Sequence, residues 1–414
     1  MGSYITGVII AIVMVLGLYA AVETAAGRPV FSTQDKHEGL STAELKKISA
    51  KEADLTADDV RGDEENRIAA ILQLGEKPGE LKDTFPLLAK LAAHPEEKIK
   101  NAAHAAIYRI GEPATPLVRD FFDRDTLQDN RAACSAIRAI GPSCKIYMDD
   151  VKALLLSEEK IERRCGLYAL QGLGVEGVVL MDEIITCVLD EDFNNRCSAC
   201  RILESFGGDA APAIDVLLQL LEEGNPSTRG WAAVCLGSIG AENAGDHNFP
   251  ELIASKLDAI NPVEVQRLLK GLALLGPDAI TVVDAVEEKA KHKDGFVRSH
   301  AAYALWRITD KGDIPFKLLG DMLADDHLAP EALDLIGRMG PDAFPLLDTV
   351  TKKFSSEEAA VREEAAIAVG SMGPVAKKAI SKLSVLLEDK DAMVRVAARR
   401  AIEKVTPVEK STEK

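Results

Sequence analysis

One frame recurs along this chain and leaves few folds open to it. With Arg362 of VREEAAIAVGSMGP taken as position zero, a Gly follows eleven residues later. The frame returns with zero positions at 64, 100, 130, 163, 196, 229, 265, 298, 329, 362 and 395. Successive zeros lie 30 to 36 residues apart, and six of the ten intervals are 33. Regular self-similarity at this length marks a stacked array of small units, none able to bury its apolar face alone.

Each place in the frame has a physical task. Position +7 is aliphatic throughout, from Ile107 and Ile137 to Val369 and Ile402, and +10 carries residues such as Ile110, Phe206 and Met372. With +3 and +4 they form one helical stripe. Position +3 is mostly Ala, with Gly166 in one unit, so a neighbouring helix can come close. Gly at +11, as in Gly111, Gly141 and Gly373, supplies a left-handed residue to end the helix. Pro142, Pro277, Pro341 and Pro374 follow directly and suit a restart. A second amphipathic run comes next, such as PAIDVLLQLLEE (212–223) or FPLLDTVTKKF (344–354). The expected fold is therefore all-α, an α-solenoid (superhelix) of about eleven two-helix repeats over residues 64 to 406. Scarce aromatics, 5% of the chain, agree with helices packed through small side chains.

The zero position is Arg in Arg163, Arg196, Arg229, Arg298, Arg362 and Arg395, near the start of its helix on the stripe side. Asp190, Asp192, Asp294, Asp389 and Asp391 precede these arginines by a few residues. A guanidinium offers several donors in a fixed fork, so the pattern predicts an internal Asp–Arg ladder linking adjacent units.

The phrases VREEAAIAVGSMGP, VRSHAAYALWRI and MVRVAARRAI resemble HEAT repeats, of the short type also found in phycobilisome-lyase-like proteins. That resemblance implies a protein-binding scaffold with no cofactor. Three units depart from the pattern. The unit at 265 has Val265 at zero and Leu268–Leu269 for the Ala pair, the unit at 329 reads Ala329–Pro330, and the unit at 64 has Glu64 and reads as a cap. The iron-binding deoxyhypusine hydroxylase type resembles this repeat but carries several His-Glu pairs. Here there is one, His37–Glu38, before the array. Bilin lyases have no simple motif to test, so a lyase-like or metal-dependent enzyme stays open as the competing reading.

Elsewhere catalytic and metal signatures are thin. Seven histidines are scattered without metal-ligand spacing. The seven cysteines, an odd count, run from Cys134 to Cys235 and read as buried free thiols rather than a disulfide framework. Cys197 and Cys200 form a CxxC with no strand before it, and no fourth metal ligand accompanies Cys165.

Residues Tyr4 to Val22 contain no charged side chain. At helical rise they would span about 28 Å, close to a bilayer core. We expect residues 1 to 26 to hold a single transmembrane anchor, with a cleaved signal peptide as the rival. Arg28 and Lys36 lie after the segment, so the positive-inside rule puts the C-terminal part in the cytoplasm. An exported, periplasmic scaffold is the alternative topology. Residues 27 to 63 read as an acidic linker and 407 to 414 as a polar tail.

The net charge of −17 disfavours a nucleic-acid partner. Yet the zero to +10 segments of the ten units from 100 onward sum to +13, so charge is segregated along the frame. Positions +2, +5 and +9 point away from the stripe, with +1 and +8 on the flanks. Arg109, Arg201, Arg267, Lys270, Arg307, Arg338 and Arg400 fall outward, and Arg138 and Arg164 on the flanks. Tyr168, Trp231 and Tyr303 join them, with Tyr108 and Trp306 flanking. Arginine and aromatic side chains are enriched at recognition surfaces. The expectation is a concave face that binds an acidic or aromatic-bearing protein segment.

Overall fold

A computed structural model describes residues 68, 70–76, 81–124 and 126–406 of the chain. Among them, all regular structure is helical. Ten helix pairs follow one another, each odd-numbered helix leading into an even-numbered one that carries the repeated frame. The first four pairs are α1 (Leu81–Ala92) with α2 (Glu97–Ile110), α3 (Arg119–Phe122) with α4 (Leu127–Ile140), α5 (Met148–Leu155) with α6 (Lys160–Leu173), and α7 (Met181–Val188) with α8 (Phe193–Phe206). Then come α9 (Ile214–Glu223) with α10 (Pro226–Ile239), α11 (Phe249–Ala254) with α12 (Pro262–Leu275), and α13 (Val283–Lys289) with α14 (Gly295–Thr309). The last three are α15 (Asp313–Met322) with α16 (Ala329–Met339), α17 (Leu347–Lys352) with α18 (Ala359–Met372), and α19 (Ile380–Leu386) with α20 (Ala392–Val405). Residues 68 and 70–74 are also helical and belong to the unit whose zero is Glu64.

The chain divides into two compact units, one ending at Ala213 and the other beginning at Ile214. In the first, α2, α4, α6 and α8 pack in chain order; in the second, α10 to α20 do the same through their even-numbered members. The +7 residues explain why. Ile107, Ile137, Leu170 and Leu203 are buried in the first unit, and Leu236, Leu272, Leu305, Ile336 and Val369 in the second. Burying each such side chain contributes about 1.5–3 kcal/mol. Ile402, on the last even-numbered helix, is only half-buried.

Helix starts follow local chemistry. Asp192, Asn225, Asn261, Asp294 and Asp391 each accept backbone N–H bonds from the first turn of their helix. The ends differ from expectation in one respect. Gly373 has φ 69° as a terminator should, but ψ −155° takes it out of the left-handed helical well into backbone that essentially only Gly adopts. The chain thereby turns straight into a 3₁₀ segment, here Gly373–Ala379, before the next odd-numbered helix. So in most units the second run is a 3₁₀ turn followed by a short α-helix, whereas Asp313–Met322 is one continuous helix. Prolines such as Pro212 and Pro345 sit inside those 3₁₀ turns. In the unit that lacks the Gly, Asp310 takes the left-handed conformation instead, at φ 54° and ψ 26°.

The expectation of a single-pass membrane location is corrected. Among the described residues no helix is long and apolar enough to cross a membrane. The longest even-numbered helix has 15 residues, about 22 Å at helical rise against a hydrocarbon core of about 30 Å. Tyr4–Val22 lies outside the described residues, as do the linker at 27–63 with His37–Glu38, Glu64, and the tail at 407–414.

Candidate functional site

The zero-position arginines share one geometry. Arg163 donates to the carbonyls of Ser157 and Glu158, at 2.9 and 2.7 Å. Arg196 does the same with Asp190 and Glu191, Arg298 with His292 and Lys293, Arg362 with Ser356 and Glu357, and Arg395 with Asp389 and Lys390. Arg229 uses Gly224. Each guanidinium thus closes the loop before its own helix by donating to carbonyls, and Arg163, Arg229 and Arg362 also reach a carboxylate of the next unit. Arg163 makes a bidentate pair with Asp190, and Arg362 one with Asp389, both bonds of the latter at 2.8 Å. Arg229 finds its carboxylate on a helix instead, in the buried Glu264 of α12.

Asp190 and Asp389 therefore serve two arginines at once. The carboxylate takes one from the preceding unit and the carbonyl takes the one from its own. The Arg362 hydrogen bond holds the Asp389 carboxyl below the usual carboxylate range. At Asp190 burial pushes upward, but hydrogen bonds from Arg163, the Asp192 backbone and Asn195 outweigh it and the carboxyl is lowered. Asp192, Asp294 and Asp391 cap helices, and Asp192 also accepts from Arg164 at 2.9 Å.

The face of the even-numbered helices that points away from the stripe is less open than its register suggests. Tyr168, Trp231 and Tyr303 are half-buried. Small residues let neighbouring helices lie so close that Tyr168, Trp231 and Tyr303, at +2 and +5, are partly covered. An added methyl at Gly237 of α10 would collide with the Gly271 backbone of α12.

In the first unit, the Arg138 guanidinium lies 4.2 Å over the Tyr168 ring, which also meets His104, with ring centroids 6.1 Å apart. His104 is held down to about 3 by burial and by Arg138 and Lys100, so its imidazole is neutral. Arg109 reaches Glu76 at 3.0 Å, and Arg201 is exposed on α8.

In the second unit, Arg267 lies 4.7 Å over Trp231 and donates to Ser227. Tyr303 packs on Trp306 at 5.6 Å. Arg307 is exposed, Lys270 and Arg400 are half-buried, and Arg338 pairs with Asp334 on its own helix at 2.8 Å. The outward positions of α16 and α18 are acidic: Glu331 and Asp334 on the former, Glu364 on the latter. Glu331 stands 3.7 Å from His300 of α14. The structure thus interrupts the basic face with carboxylates just where the sequence reading counted Arg338 alone.

No family model and no curated protein matches this chain. Solved structures do resemble it. An engineered protein aligns over 88% of this chain and 98% of its own, at 17% identity and a TM-score of 0.40. Importin beta aligns over 90% of this chain and 63% of its own, at 11% identity and a TM-score of 0.47. The Kap121p karyopherin, in its complex with Nup53p, aligns over 87% of this chain and 48% of its own, at 15% identity and a TM-score of 0.41. This chain accordingly spans about half of Kap121p. The two-helix repeat architecture stated above rests on the helix pairs themselves.

Among the described residues, no group of three or more His, Cys, Asp or Glu is placed to hold a metal ion. The seven cysteines form no disulfide, and Cys197 is half-buried while Cys200 is buried. Burial pushes the Cys165 and Cys144 thiols up to about 11 and Cys187 to about 12, away from thiolate nucleophiles.

Two arrangements were missed by the reading of the recurring Arg frame. Tyr147 is buried and its hydroxyl donates to the Thr115 carbonyl at 2.7 Å. Arg119 stacks 4.9 Å over that ring and forms a bidentate pair with Asp150. This ties consecutive units together on the odd-numbered side. The other is the acidic strip on α16 and α18, where a count of cations and aromatics alone could not reveal the interleaved carboxylates.

Proposed function

We propose that this chain is a non-catalytic, HEAT-like repeat scaffold that binds proteins on the outward face of its even-numbered helices. The observation that carries the reading is the arginine–aromatic pairing on that face. Arg138 covers Tyr168, Arg267 covers Trp231, and Tyr303 with Trp306 lies beside the exposed Arg307. Such amphipathic, already ordered side chains lose little entropy on binding, which suits them to anchor a partner.

The partner-contacting set is Arg109, Arg138, Arg164, Tyr168, Arg201, Trp231, Arg267, Lys270, Tyr303, Arg307, Arg338 and Arg400. Their chemistry favours an acidic or aromatic-bearing segment, with α2 to α8 and α10 to α14 offering most of the positive charge. The six zero-position arginines belong to the stacking ladder and not to the partner surface. No cofactor enters this reading.

The test is a triple variant, Arg201→Glu, Lys270→Glu and Arg307→Glu, compared with the parent chain in affinity capture. The proteins held by the parent should be lost, while the helical circular dichroism stays unchanged. Equal capture by the folded variant would defeat the proposal.

A further inference from the structure

We propose that Trp231 and Arg267 form a seat for one carboxylate of an acidic partner segment, with the indole N–H and the guanidinium as its donors. This deepens, and rests on, the reading of the outward face as the partner surface.

The seat is built from two neighbouring helices. From α12 the Arg267 side chain crosses to α10, where a methyl added at Gly230 would stand 3.0 Å from its Cβ and Cδ. Gly230 thus leaves the room in which the arginine stem lies. Beyond it, Arg267 Nη1 donates to the Ser227 hydroxyl at 3.0 Å, and the guanidinium carbon sits 4.7 Å from the centre of the Trp231 ring. Trp231 and Arg267 are both half-buried. Among the described residues, Trp231 Nε1 is buried and has no hydrogen-bond partner. The hydrogen bond of Arg267 goes to a neutral hydroxyl, not to a carboxylate.

An indole N–H can only donate, and so can a guanidinium. A buried donor without an acceptor has lost its hydration and gained nothing in return, so an acceptor brought by a partner recovers that loss. A group that satisfies donors alone and answers a full positive charge is anionic and accepts only, as a carboxylate does.

The surroundings draw such a group in. Helices α10, α12 and α14 pack in succession, and the single acid within them is Glu264, buried and held by Arg229. Against it stand Arg229, Arg267, Lys270, Arg298 and Arg307, in a chain whose net charge is −17. A segment carrying several acids is steered to these three helices. There one carboxylate pairs with the guanidinium, draws it off the ring and reaches the indole edge.

The chain has two tryptophans, so its proton–nitrogen spectrum holds two indole N–H signals, which Trp306→Phe assigns. Titrating the full chain with a capped hexaglutamate peptide should move the Trp231 signal downfield, as hydrogen bonding to an anion does. A hexaglutamine peptide should leave it in place. Trp231→Phe keeps an aromatic ring and removes the N–H, and should weaken hexaglutamate binding in calorimetry roughly tenfold. Arg267→Gln should weaken it at least as much. A Trp231 signal that hexaglutamate does not move, or that hexaglutamine moves equally, overturns the seat. So does equal affinity of hexaglutamate for the parent and Trp231→Phe. If the triple variant still loses the captured proteins in that case, the outward face stands as the partner surface, so the two proposals fail separately.

Discussion

Asp389 shows how much one side chain can carry in a repeat. Its carboxylate binds Arg362 and its carbonyl binds Arg395, so the residue belongs to two units at once. The Arg362 and Asp389 side chains are 6% and 10% exposed. Removing one partner of so buried a pair strands the other charge, and Arg362→Ala should cost about 3 kcal/mol in chemical denaturation at pH 7. Asp389 is depressed in the fold, so its contribution is present above its unfolded value of 3.8 and lost as pH falls through the lower folded value. The gap between parent and Arg362→Ala should therefore close on acidification, and an unchanged gap would show that the pair is not what the substitution removed. The arginines and the acids before them are plain in the sequence. The division of labour, with carbonyls from the arginine's own loop and carboxylates from the next, is not, because it depends on where the following loop comes to rest.

Among the elements, α10 and α12 make a close approach worth testing. Gly237 faces Gly271, and Gly237→Ala would drive a methyl into backbone rather than into a yielding side chain. Expected loss is about 2 kcal/mol, measured by urea unfolding, whereas Ala at an exposed helical Gly would be mildly stabilising. The cap at Asn261 gives a milder prediction: Asn261→Ala removes the acceptor for Val263 and Glu264 N–H and should cost about 1 kcal/mol in the same assay. The C-terminal ends of most even-numbered helices were legible, since stripe and terminating Gly agree. The odd-numbered ones were not. Their prolines and short apolar runs do not distinguish a helix from a 3₁₀ turn leading into one, and packing against the frame helices decides it.

At the scale of the whole molecule, stability in a stacked array is built from neighbour-to-neighbour interfaces and need not unfold as one step. Both tryptophans, Trp231 and Trp306, lie in the unit that begins at Ile214. Fluorescence in urea then reports that unit alone, while circular dichroism reports both. The two curves should have different midpoints, and coincident curves would mean a single cooperative transition.

The sequence by itself determined the helical period, the identity of the buried stripe, the repeat boundaries and the arginine frame. These are local properties: spacing along a helix dictates which side chains share a face, whatever the neighbours do. Only the tertiary structure decided that Tyr168 and Trp231 are half-buried, that Glu264 replaces a loop Asp as an arginine's partner, and that Glu331 of α16 stands 3.7 Å from His300 of α14. Those outcomes depend on how closely successive helices approach, and that distance is set by the Gly and Ala residues of two helices together, not by either one.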